Sequence, residues 1–531
     1  MDTPTSLLLI FCCFSLQIAA TTQTENDYSY VLQHYKRFWD DLDDEDIKRI
    51  GVKMRTPDFS KDFFTQPLDH FEVLTTETFP QPFYVVDQYW KKPNGPVFLY
   101  IGGEWNVRAS EFTNGNMVDL AEKYGALILA VEHRFYRNFE NAESMSLDQL
   151  NYLSSHQALA DLAAFREFAT KKFNLTERNL WISFGCSYSG MLSAWLRLKY
   201  PHLIHGAVSS SGPLRAVANF KEYNEIVTTA FGDPVAKGSE QCVSRIRAAF
   251  KTFRNKVDNE QYTELQQAFN SCRPLTNIND RRLLASTLQN PFMAAVQYNL
   301  PGYFNVEAVC NIMTNESYPD AFEALRAIYF KPTYWDQYQC QDFSYDGYTS
   351  YYRNTSRVTT GRPWLYQTCS QYGFYQTCDS DTNCMFTDLY DLNISLQFCK
   401  DVFGIDGPQV LGHVDWTNSF YGSDMPWGSR IVFANGDLDP WHALGVKNDL
   451  SDSMKSIMIR GGAHCQDIVP VTSYDSDALK AGRTAIENEV KKWLENPGLY
   501  QDPDCPSTGG VGHPFHLTLL VVGLLGGCLK H

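Results

Sequence analysis

The chain has 531 residues, of which 44% are apolar and 20% charged, so it is long enough for several packed layers and too apolar for wholesale disorder. A formal net charge of −16 offers no broad cationic surface and excludes a general binder of phosphate backbones; nucleic acid is not an expected partner. An aromatic content of 14% suits ring-lined pockets and large packed faces.

Residues 1–20 hold an apolar run from Leu7 to Ala20 that ends in small residues. This is the length of a signal-peptide core and too short for a membrane span. The same route through the secretory pathway suits the glycosylation sequons at Asn174, Asn315, Asn354 and Asn393. Beyond Cys12, Cys13 and Cys528, most cysteines crowd between Cys242 and Cys399, as expected for disulfides formed in an oxidising lumen. Their number is odd, which predicts a free thiol, and Cys186 is the candidate. No Cys-x-x-Cys pair is present, so neither a zinc ribbon nor any other metal or cofactor is expected.

After a polar leader, PVFLYIGGE and GALILAVEHR are apolar runs without alternation, as in strands buried on both faces of a parallel sheet. NMVDLAEKY and SHQALADLAAFREFATKKF read as crossover helices, NLWISF as a strand, MLSAWLRLKYP as a helix and HGAVSSSGP as a further strand. This alternation over 58–213 predicts an open α/β sheet with right-handed crossovers. From Leu214 the rhythm breaks. Residues 214–425 read as an insertion domain, after which SRIVFAN, SIMIRGG and the amphipathic DALKAGRTAIENEVKKWLEN resume the pattern over 426–500. At the end, 507–531 pairs small residues with an apolar stretch, as in a GPI-attachment signal or a hydrophobic tail.

The chemistry centres on WISFGCSYSG, Trp181–Gly190. A nucleophile on a sharp strand-to-helix turn needs small residues two positions to either side. Ser187 is flanked in this way by Gly185 and Ser189, whereas Ser189 is followed two residues later by the bulky Met191. Ser187 is therefore the candidate nucleophile of an α/β-hydrolase, and the acid and base are expected later, at the ends of late strands. His464 follows the strand SIMIRGGA in a glycine-rich loop; IVFAN opens into GDLDPW, which offers Asp437 and Asp439. Spacing does not separate these two aspartates.

The strings FFTQPLDHF, YIGGE, VEHRFY, GCSYSGMLSAW, NGDLDPW and GGAH together resemble those of the prolyl-carboxypeptidase-like serine peptidases. The resemblance runs from about Asp58 to Asn496, and HLIHGAVSSSGPLRAVANFKEYNEIV is most similar to the thymus-specific branch of that family. It implies Ser187 as nucleophile, Asp439 rather than Asp437 as acid, and His464 as base, in an α/β-hydrolase domain interrupted by a largely helical, disulfide-containing cap. It further implies an exopeptidase that cleaves after proline or a similar small residue near a peptide terminus, in the lysosome or endosome, outside the cell, or on its surface. The backbone N–H of Tyr188 and the GGE turn at Gly103 are the expected oxyanion donors. Met191 and Trp441 are candidates for an apolar wall around proline, and Glu104 for a contact with a substrate amino terminus. Relatives read GGSYGG and GAHH where this chain has Cys186, Ser189 and Cys465, and Arg137 stands where a glycine is common. The partners considered are peptide substrates, a membrane through a processed C-terminus, and a second copy of the chain in a homodimer. A catalytically silent binding or adhesion protein and a secreted esterase are the competing readings.

Overall fold

The computed structural model describes residues 51–498, apart from Lys53, Thr75 and the segments 137–144, 301–303, 332–339 and 357–360. The signal segment, Arg137, Cys505 and the 507–531 tail lie outside the described residues.

The runs read as doubly buried strands are β3 (Val97–Ile101) and β4 (Leu127–Val131), and every residue in both is buried. They join β1 (Ser60–Pro67), β2 (Thr78–Val86), β5 (Trp181–Cys186), β6 (Gly206–Ser210), β9 (Ile431–Gly436) and β10 (Met454–Ile459) in one sheet. Its order is β1-β2-β4-β3-β5-β6-β9-β10. The six strands from β4 to β10 in that order run parallel, while β2 is antiparallel to both β1 and β4. This is the α/β-hydrolase arrangement. The apolar rhythm does not anticipate the β1–β2 pair, because both strands mix exposed with buried residues and carry Pro67, Pro80 and Pro82, which are poor strand signals.

Helices cover both faces. α1 (Asn116–Tyr124) and the closing helix Asp477–Glu495 bury one side, where Ile128, Phe184 and Val432 meet Ile486 and Trp493. α2 (Ser155–Lys172) and α3 (Tyr188–Lys199) bury the other, through Leu159, Phe165, Leu192 and Trp195. Each fully buried Leu or Phe contributes roughly 1.5–3 kcal/mol, so the two clusters hold the strand ends firmly in register. Among the described residues no helix is long and apolar enough to cross a membrane.

Between β6 and β9 the chain is mostly helical, with α4 (Lys221–Gly232), α5 (Glu240–Asp258), α6 (Ile278–Tyr298) and α7 (Gly407–Tyr421) among its helices, and a short parallel pair, β7 (Val217–Asn219) with β8 (Gly373–Tyr375). Four disulfides staple it: Cys242–Cys310, Cys272–Cys340, Cys369–Cys399 and Cys378–Cys384. Its apolar cluster is continuous with that of the sheet, through Phe220, Tyr223 and Trp441. Asn174, Asn315, Asn354 and Asn393 are all exposed.

The expectation of a free thiol at Cys186 is overturned: Cys186 is bonded to Cys465, 279 residues away in sequence. The odd count misleads because another cysteine of that count, Cys505, lies outside the described residues, and parity alone does not say which residue is unpaired.

Candidate active site

Strand β5 ends at Cys186 and α3 begins at Tyr188, so Ser187 makes the whole turn. Its backbone sits at φ 61°, ψ −126°, a conformation that costs a non-glycine residue roughly 1–3 kcal/mol and persists only where the surroundings impose it. Here they do. Ser187 N–H donates to Ser210 O on β6 at 2.9 Å, and Ser187 O accepts from Met191 N–H at 3.0 Å. Close approach requires the flanking glycines: a Cβ on Gly185 would lie 2.0 Å from Ser189 O, and one on Gly190 2.6 Å from Ser210 O.

The two serines of the turn have different surroundings. Ser189 is fully buried, and its Oγ donates to Cys186 O at 2.8 Å while accepting from Cys186 N–H at 2.9 Å. It closes the turn with its own side chain. Ser187 is half-buried and lines a cavity together with His464, Glu104 and Tyr298.

The carboxyl ends of parallel strands share one edge of the sheet, which is where residues following β5, β9 and β10 converge. Asp439, after β9, is fully buried; its Oδ1 accepts from Trp441 N–H at 3.0 Å, and its Oδ2 accepts from His464 Nδ1 at 2.8 Å. Asp437, the other aspartate of the pair, instead bonds Arg460 Nη1 at 2.7 Å and Gly461 N–H at 2.6 Å. His464, after β10, is buried and packs its ring against Tyr298 and Trp441, with centroids 6.2 and 6.5 Å away.

Gly103 lies beside the turn, where a Cβ would be 3.5 Å from Ser189 Cβ. Tyr188 N–H, at the first position of α3, belongs to the helical donors that lack an acceptor within the helix. Glu104 lines the cavity. Met191 and Trp441 are buried in the apolar core, and neither is among the residues lining that cavity. Trp441 stands behind His464, where its Nε1–H donates to Gln297 Oε1 at 3.0 Å.

Several supporting residues have no signal in a motif. Gln297, near the end of α6, accepts His464 N–H on its backbone carbonyl at 2.8 Å; its side-chain oxygen accepts from both Trp441 and, at 2.6 Å, Tyr223. One cap residue thus ties the base loop to two buried rings. Asp467 accepts a hydrogen bond from Ser210 Oγ, and burial raises its pKa. The VEHRFY string reaches the turn through His133 and Tyr136, whose rings pack against Tyr188. Glu132 accepts from Val107 N–H at 2.9 Å and from Tyr84 Oη at 3.0 Å, and burial pushes its carboxyl up to about 7. His133 lies 3.0 Å from Tyr188 Oη through Nε2, and burial holds its imidazole neutral with a pKa lowered to about 4. Arg134 grips Asp161 with two hydrogen bonds of 2.6 and 2.7 Å. Glycines and strand ends mark the turn in the sequence. Gln297 could be found only by folding the cap.

A family model described as Serine carboxypeptidase S28 matches residues 66–486. Human thymus-specific serine protease is 35% identical over 441 residues, covering 81% of this chain and 86% of that protein. The mouse thymus-specific serine protease is 35% identical over 443 residues, with 81% and 87% covered. Human lysosomal Pro-X carboxypeptidase is 29% identical over 458 residues, with 82% and 88% covered.

Proposed function

The chain belongs to the serine carboxypeptidase S28 family and is a serine-type peptidase, and we propose that Ser187, His464 and Asp439 are its nucleophile, base and acid. One observation carries the assignment: the Asp439–His464 hydrogen bond is made at the same sheet edge where Ser187 and His464 line one cavity. In this reading His464 takes the Ser187 proton as Oγ attacks a peptide carbonyl, then delivers it to the leaving amine. Asp439 fixes the ring with Nδ1–H toward itself and stabilises the imidazolium. Tyr188 N–H and the backbone at Gly103 receive the oxyanion; removing one such donor costs on the order of 10²–10³ in turnover. Water then releases the acyl group by the reverse proton path.

We further propose an exopeptidase that cleaves after proline or a similar small residue. The similarity to lysosomal Pro-X carboxypeptidase supports the proline preference. The chemistry of the cavity supports a free amino terminus as the end recognised: its described lining includes Glu104 and Glu111 and no lysine or arginine. In the adjoining cavity, which shares Val469 and Pro470, Lys237 is engaged with Glu307 and Arg460 with Asp233 and Asp437. Disulfides, exposed sequons and a relative named as lysosomal support residence in the secretory pathway or lysosome.

Proline-containing peptides blocked at one end or the other provide the test. Acetylation of the amino terminus should abolish cleavage and amidation of the carboxyl terminus should leave it; the reverse pattern would reassign the enzyme to the carboxyl end. Turnover of acyl esters with no peptide cleaved would return the esterase reading. Fluorophosphonate labelling of the wild type that disappears in Ser187→Ala would dispose of the silent binding protein.

A further inference from the structure

We propose that the Cys186–Cys465 disulfide is a redox-sensitive positioning element: while oxidised it holds the loop of His464 against the turn of Ser187, and its reduction by a dithiol lowers turnover. The inference rests on the assignment of Ser187 and His464 as nucleophile and base.

Cys186 immediately precedes Ser187, and Cys465 immediately follows His464. The bond therefore crosslinks the two reacting residues through their nearest neighbours, with Cα atoms 5.8 Å apart. The other four bridges all lie between Cys242 and Cys399, so among the described residues this is the one that joins two parts of the sheet half. One end, Cys465, and the residue that follows the other, Ser187, are in backbone that resists ordinary side chains. Ser187 has φ 61° and Cys465 φ 58°, and such conformations hold only where their surroundings fix them.

Without the crosslink, His464 and Cys465 keep three hydrogen bonds to other parts of the chain: His464 N–H to Gln297 O at 2.8 Å, His464 Nδ1–H to Asp439 at 2.8 Å, and Cys465 N–H to Ser211 Oγ at 3.0 Å; two residues on, Asp467 accepts from Ser210 Oγ. These fix His464 to the cap, to β9 and to the end of β6. None of them bonds directly to the turn that carries Ser187, which they reach only through Ser210, whose carbonyl accepts Ser187 N–H. Among the described residues the bridge is the one direct bond between that loop and the turn, and a displacement of about 1 Å between reacting groups costs on the order of 10²-fold in rate.

A reductant can reach the bond. Cys186 and Cys465 line the same cavity as Ser187 and His464, and Cys186 is only half-buried. A small dithiol entering where substrate enters meets the sulfurs. The reaction balances in two displacements. One thiolate of the dithiol attacks a bridge sulfur, breaks the S–S bond and expels the other cysteine as a thiolate, which takes up a proton. The second thiol of the reagent then displaces the first cysteine and closes a cyclic disulfide. The two cysteines gain two electrons and two protons, and the dithiol loses them. A ring nitrogen of His464 lies within 4.8 Å of both sulfurs, close enough for an imidazolium to stabilise the departing thiolate. In the cap, Cys272 and Cys340 are also exposed, so reduction must be mapped bond by bond.

The test uses the full secreted chain and graded dithiothreitol. Turnover of a proline peptide, fluorophosphonate labelling and, on parallel aliquots, alkylation mapped by mass spectrometry are followed together. As Cys186 and Cys465 become alkylatable, kcat should fall about tenfold or more while KM stays within about twofold, and reoxidation should restore it. The double variant Cys186→Ala, Cys465→Ala should start with a lowered kcat and not respond further to dithiothreitol. Full turnover with this bridge mapped open would overturn the proposal. So would a double variant with wild-type kcat, or one that loses activity in dithiothreitol as the wild type does. Should the double variant fail to fold, the mapped reduction of the wild type decides alone. Absence of labelling in the oxidised wild type would remove the nucleophile assignment and this inference with it; labelling that persists undiminished with the bridge open overturns the inference only.

Discussion

The sheet half and the cap are held together by different physics. In the sheet half, order between distant segments comes from parallel strands whose residues are buried on both faces, so a slip of register would move apolar side chains out of the core. The cap has only the short β7–β8 pair and relies on aromatic packing and on bridges that close loops of 68, 68, 30 and 6 residues. Such crosslinks stabilise mainly by restricting the unfolded chain, and they demand little regularity of the sequence between them. The candidate nucleophile, base and acid all come from the sheet half; the cap contributes Gln297 and Tyr298 behind and beside His464. The strand ends carry the three candidate residues, and the stapled cap adds Tyr298 to the wall of the cavity beside them.

This division predicts that substitutions in the sheet half strike chemistry and those in the cap strike stability. The sharpest contrast lies within one turn. Ser187→Ala should lower kcat by about 10⁴–10⁶ with the melting temperature nearly unchanged, whereas Ser189→Ala, which removes a buried brace, should cost roughly 1–2 kcal/mol of stability and leave fluorophosphonate labelling intact. Equal losses of turnover would break the distinction between the two serines. Next, Asp439→Asn should lower kcat by about 10⁴ by permitting the wrong imidazole tautomer, and Asp437→Asn, which loosens only the Arg460 contact, should leave it within about threefold.

Glu132 separates stability from chemistry inside the sheet half itself. Burial raises its carboxyl to about 7, so the fold favours the neutral acid. That contribution is fully present below the ordinary carboxyl range and is lost as pH rises through about 7. Glu132→Gln keeps the group neutral, so the stability of wild type relative to the variant should fall by roughly 2–3 kcal/mol between pH 5 and pH 8. His133, with its pKa lowered to about 4, acts in the opposite direction but is common to both proteins. Denaturant melts of the pair across that range are the check, and parallel curves would refute the shift. The smallest effect is expected in the cap, where Gln297→Ala should cost roughly 1–3 kcal/mol by removing the acceptor shared by Tyr223 Oη and Trp441 Nε1, with kcat changed far less than in Ser187→Ala or Asp439→Asn. A loss of turnover as large as that of Asp439→Asn would mean that the cap positions the base as strongly as the strands do.

The sequence by itself determined the parallel sheet, because strands buried on both faces must be continuous apolar runs, and it singled out Ser187 rather than Ser189 as the candidate nucleophile, because a sharp turn tolerates only small neighbours at Gly185 and Ser189. Both are local requirements, satisfied within a few residues of chain. The N-terminal β1–β2 pair was hidden by prolines and mixed burial; spacing left Asp437 and Asp439 equal on one loop, and only the family resemblance favoured Asp439. Only the tertiary structure decided that Arg460 takes the first and His464 the second. It alone brought Gln297 under the base loop and paired Cys186 with Cys465 across 279 residues. Those contacts depend on where separate segments meet in space, and no spacing along one chain records the distance between them.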